Sequence, residues 1–174
     1  DAFYLGFKMP GRNARHYHAV DLLSDILGRG KSSRLYKRLK KEKELVSEIN
    51  AYILGSFDTG LLMISGKPAD GVSTEEIEPF IHEIIDELQE KPITEEELEK
   101  IVNKVKTTNV FSEQGILPKS IGLSMHELIG DANGINEETA KYEKITPQEL
   151  QEQAKQVLEK TNCTRLTIKA TTNG

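Results

Sequence analysis

The sequence contains one cysteine, Cys163. No intrachain disulfide can therefore form, and no Cys₂ or Cys₄ zinc site can be built from this chain alone. Cys163 opens a terminal strand and reads as a small buried thiol that says little about compartment. No apolar run approaches the roughly 20 residues that a membrane-spanning helix needs, and no signal peptide is visible. A basic stripe interleaved with aromatics, the mark of a nucleic-acid surface, is missing as well. The formal net charge is −5, and the basic residues concentrate only around Lys31–Lys43, where leucines separate them. No internal repeat, low-complexity stretch or domain linker interrupts the chain.

Local catalytic motifs are also missing. Neither HxxEH nor HExxH occurs, so no zinc-hydrolase ligand pair sits on one helix turn. There is no GxSxG elbow and no GxxxxGK[ST] phosphate loop. Of the four histidines, His16 and His18 are two apart and diverge on a helix. His82 and Asp86 share a helix face, but no third ligand accompanies them. His126 and Glu127 are sequence neighbours and point apart. Gly28-Arg29-Gly30-Lys31-Ser32-Ser33 has the composition of an anion cradle, but it follows a helix rather than a strand and carries no phosphate fingerprint. Glu95–Glu97 lie in a first helical turn, where they favour the helix dipole.

What is present is a length of 174 residues with 37% hydrophobic and 29% charged residues, ordinary for one soluble globular domain with its own core. Phe3, Leu5 and Phe7 alternate with Tyr4, Gly6 and Lys8, predicting a strand closed by Pro10-Gly11. Tyr17, Val20, Leu23 and Leu27 recur at helical spacing over about 14–27, and Gly28 and Gly30 end that helix. Ser32 or Ser33 can cap a shorter helix carrying Leu35 and Leu39. Leu45, Ile49, Ala51 and Ile53 alternate with polar residues and lead through Gly55–Asp58 into a third strand over about 59–66, an antiparallel hairpin.

Capping boxes at Ser73–Glu76 and Thr94–Glu97 launch two helices. Pro79 places the start of regular helix in the first of them near itself. Leu117, Ile121, Met125 and Leu128 mark a further helix between Gly115 and Gly130. Thr146-Pro147-Gln148-Glu149 launches the last helix, and Leu166 and Ile168 belong to a closing strand. The order β-α-α-β-β-α-α-α-α-β predicts an α+β fold, an antiparallel sheet with helices packed on one face.

The segment "LLSDILGRGKSSRLYKRLKKEKELVSEINAY", Leu22–Tyr52, resembles the M16 peptidase family of pitrilysin, insulinase and mitochondrial processing peptidase. In that family a helix ending in a Gly-rich turn precedes "SSRL" and then "LREK.GL.Y". "FYLGFKMP", "ITEEELEKIVNKVKT" and "LTIKA" resemble the first strand, a later helix and the closing strand of the same unit. The resemblance implies a LuxS/MPP-like metallohydrolase half-unit spanning 1–174 as a single domain, excised from a longer chain.

With HxxEH absent, the resemblance implies a non-catalytic C-terminal-type domain that encloses substrate and cleaves nothing by itself. Zinc and the general base would come from a homologous catalytic unit, in the same chain or as a separate subunit. No cofactor is expected in this chain, and the expected partners are that unit and a peptide, with no nucleic acid and no membrane span. The family's substrate-holding Arg falls on Lys40 and its Tyr on Ser47. Lys keeps the charge without the planar fork, and Ser lacks the reach of a phenol. Tyr52 and Arg38 are the nearby candidates to compensate. The alternative is a structural or scaffolding subunit without a protease role. The chain reads as soluble, cytoplasmic or periplasmic, with that choice open.

Overall fold

Alternating residues in Ala2–Met9 (β1), Val46–Leu54 (β2), Gly60–Pro68 (β3) and Cys163–Ile168 (β4) form four strands. In the computed structural model, which describes residues 1–112 and 114–170, they join in the order β2-β3-β1-β4, every pair antiparallel. Leu5 stands opposite Ile64, and Ala51 opposite Ile64 on the other side. Phe3, Leu5, Phe7 and Met9 thus share one buried face with Leu62, Ile64, Ile49 and Ala51, the period-two pattern of a half-buried sheet.

The α-helices are α1 (Tyr17–Gly28), α2 (Thr74–Glu90), α3 (Glu95–Ser112), α4 (Ile116–Leu128), α5 (Glu138–Glu143) and α6 (Pro147–Val157). Of these, α1 and α6 make the main contacts with the sheet. The α1 helix packs on β2 and β3 and against α6, while α2 packs on α6. It has no side-chain N-cap and no acid in its first turn. Burial holds it instead: Val20, Leu22, Leu23 and Leu27 are each 0% exposed, so tertiary packing rather than propensity stabilises it. A Cβ on Gly28 would lie 2.0 Å from the Ala51 amide nitrogen, which makes glycine necessary where α1 meets β2.

Two local expectations are corrected. The short helix around Leu35 and Leu39 is not a regular α-helix, because Tyr36–Glu42 winds as a π-helix. There the Lys43 amide donates to the Arg38 carbonyl at 3.1 Å, and Leu35 and Leu39 both stay buried. Regular helix does not wait for Pro79 either. Both bonds of the Ser73–Glu76 box form, at 3.3 and 3.2 Å, and α2 starts at Thr74 with Pro79 inside it. The missing proline amide costs one helical bond early in the helix, which the satisfied cap offsets. A 3₁₀ segment, Ala132–Glu137, and α5 fill the interval between α4 and α6.

Candidate functional site

The anticipated substrate contacts divide between two places. Lys40 lies in the π-helical segment, and its Nζ donates to the Ser47 carbonyl at 2.5 Å while sitting 5.6 Å from the centre of the Tyr36 ring. Ser47 occupies a bulge in β2, between Val46 and Glu48, and its hydroxyl donates toward the Lys67 and Pro68 carbonyls at 3.3 Å each. The fold therefore brings Lys40 and Ser47 into contact at the start of an edge strand.

Arg38 points elsewhere. Its guanidinium lies 2.9 Å from Glu87, 3.2 Å from Glu83 and 3.7 Å from Glu42. The hydrogen bond to Glu87, followed by the charges of the three carboxylates, outweighs desolvation and pushes its pKa up. Tyr52 stands on the other side of β2, opposite Met63. It borders a hollow of about 400 Å³ that Asp21, Asp25 and Asn50 also line. Burial pushes the Asp21 carboxyl up, and the Tyr142 hydroxyl donates to it at 2.7 Å.

The histidines each find a carboxylate. His16 Nδ1 lies 3.0 Å from Glu149, His82 faces Glu78 at 3.6 Å, and His18 Nε2 lies 3.1 Å from Glu138. His126 approaches the second Glu138 oxygen at 3.9 Å, and Arg12 and Lys141 approach Glu138 at 3.6 and 3.1 Å. Burial pushes the Glu138 carboxyl up, but His18 and Lys141 outweigh it and hold the pKa at about 2. Burial pushes His126 down, against the pull of Glu138. Among the described residues no group of three or more His, Cys, Asp and Glu side chains could hold a metal ion. This donor set does not fit the three ligands and open position of a catalytic zinc.

The sheet face away from the core is apolar and open. Leu166 and Leu61 are 56% and 38% exposed. With Tyr4, Met63 and Ile168 they flank a groove of about 430 Å³ floored at Gly6. Sequence reasoning did not single out this face. Its signal was available in the unbroken run Leu61-Leu62-Met63-Ile64, which makes β3 apolar on both sides. In β4 the polar Arg165 turns to the helix side, where it pairs with Glu75 and Glu78 of α2, so Leu166 and Ile168 take the open side.

An antiparallel sheet with helices on one face and an open apolar face on the other defines an α+β domain, and among the described residues no cluster of metal ligands converges. The family model for the peptidase M16 inactive domain matches residues 1–105, and the chain belongs to that family.

Among curated proteins, the zinc protease PqqE of Helicobacter pylori is 30% identical over 97 residues, covering 56% of this chain and 22% of that protein. An uncharacterized zinc protease of Streptomyces coelicolor is 26% identical over 157 residues, covering 86% and 33% respectively. The chain thus spans about a third or less of the length of these relatives.

Among solved structures, a protease from Helicobacter pylori superposes with a TM-score of 0.87 at 22% identity, covering 94% of this chain and 39% of that one. The inactive peptidase domain of a Bordetella parapertussis protein described as a zinc protease superposes with a TM-score of 0.85 at 21% identity, covering 99% and 94%. Among the described residues no helix is long and apolar enough to cross a membrane.

Proposed function

We infer that this chain is the substrate-enclosing half-unit, LuxS/MPP-like in architecture, of an M16 zinc metallopeptidase, and that a separate HxxEH unit performs the proteolysis. One observation carries this reading, the open apolar sheet face of Tyr4, Leu61, Met63, Leu166 and Ile168. A monomer leaves so continuous an apolar surface uncovered where something docks against it. Here it would form one wall of a chamber whose opposite wall is the catalytic unit, fused or separate, and unfolded peptide would pass between them. Lys40, Ser47 and Tyr52 would contact the peptide backbone near the β2 edge. Arg38, held by three carboxylates, would serve indirectly by fixing the π-helical segment on α2. The unit would work in a soluble compartment, cytoplasm or periplasm.

The test is made in the complete protease. Met63→Asp with Leu166→Asp places two charges on the open face without touching the core. The expected result is a fall in kcat/KM for peptides of roughly tenfold or more, with zinc content and thermal stability unchanged. Unchanged kinetics would reject the chamber wall and favour a structural subunit without a protease role.

A further inference from the structure

The loop after α1, rejected as a phosphate cradle on sequence context alone, meets the first turns of α3 across a cleft of about 600 Å³. This cleft lies apart from the open sheet face and does not depend on the peptidase reading. Gly30 adopts φ +91°, and the Ser33 hydroxyl and amide both donate to the Gly30 carbonyl, at 2.7 and 3.2 Å. The loop is thereby pinned in a tight turn with Ser32 at the cleft. Lys104 reaches over from α3 and donates to the Arg29 carbonyl at 2.8 Å, which leaves two of its three N–H groups free to bind elsewhere.

Charge decides what the cleft suits. Arg29 pairs with Asp25 through Nη1 at 3.3 Å, and Arg34 holds Glu97 through Nε and Nη2 at 3.3 and 2.9 Å, so both guanidinium charges already have a carboxylate partner. Lys37, Lys100 and Lys104 also line the cleft, and among the described residues none of the three has a carboxylate partner. One further carboxylate, Glu96, faces them. The surplus is positive in a chain whose net charge is −5.

Three ammonium groups and a hydroxyl favour a compact, multiply charged tetrahedral oxyanion over a planar carboxylate, which a free arginine fork would hold. The volume exceeds one phosphate, and no aromatic side chain lines the cleft to stack a base. We propose that the cleft between the Gly28–Ser33 loop and α3 binds an inorganic-type di- or triphosphate group through Lys37, Lys100, Lys104 and Ser32.

The test is calorimetric titration of the purified protein with pyrophosphate and with triphosphate at low ionic strength, where ammonium–phosphate attraction is least screened. Lys37 and Lys100 make no side-chain bond or ion pair among the described residues, so Lys37→Ala with Lys100→Ala removes charge without removing a structural contact. One-to-one binding is expected, weakened roughly tenfold or more in this double variant and unchanged in a Lys155→Ala with Lys160→Ala control. Absence of binding, equal affinity in the double variant, or an equal loss in the control would overturn the site. Citrate binding as tightly as triphosphate would overturn the phosphate assignment.

Discussion

Lys40 donates its ammonium to the backbone carbonyl of Ser47 at 2.5 Å, tying the π-helical segment to the bulge that opens β2. The bond is exposed, so its contribution to stability is small, below about 1 kcal/mol. Lys40→Ala should therefore leave the melting temperature nearly unchanged. In the complete protease it should raise KM for peptides roughly three- to tenfold with kcat preserved, the signature of lost ground-state binding. Unaltered KM would remove Lys40 from substrate contact. Lys40→Arg with Ser47→Tyr should shift KM the opposite way, since a planar fork and a longer phenol reach farther.

Glu138 joins α5 to α1 and α4 through His18 and His126. Its folded pKa of about 2 lies below its usual 4.5. The stabilisation is therefore complete above the unfolded value and is lost as pH falls through the folded one. Glu138→Gln should destabilise the protein at neutral pH by roughly 2 kcal/mol, after allowance for partial solvent screening. Urea unfolding across a pH series should show the gap between the two proteins closing between pH 4.5 and about 2. A gap independent of pH would assign the loss to packing instead of charge.

Glu44, at the exit of the π-helical segment, has φ 53° and is the only described residue other than glycine in the left-handed region. An L-residue with a Cβ is strained there by about 1 kcal/mol, and glycine is not. Glu44→Gly should stabilise the fold by up to about 1 kcal/mol, less the added freedom glycine brings to the unfolded chain. Chemical denaturation checks this, and a destabilised variant would mean that Glu44 makes a compensating interaction.

The strands and the long helices were legible because each repeats one period over many residues. Phe3, Leu5 and Phe7 alternate cleanly, and the Ser73, Thr94 and Thr146 caps form as their spacing implies. The π-helix at Tyr36–Glu42 was not legible, because Leu35 and Leu39 have the same spacing in either helix. The Ser47 bulge was hidden for a similar reason, since an inserted residue leaves the rest of the alternation intact. The Ala132–Glu137 turn and α5 are too short to show a period. Family resemblance singled out Lys40 and Ser47 as substrate-holding positions but not their mutual contact, and the cluster on Glu138 joins residues 120 positions apart and has no local signal.

The most direct test of the central claim is a calorimetric titration of zinc into the purified chain at neutral pH. The four histidines each face a different carboxylate or a different side of Glu138, so no stoichiometric high-affinity site should appear, and hydrolysis should require the HxxEH unit. Tight one-to-one zinc binding would contradict the account, because residues separated in this structure would then have to converge on a metal.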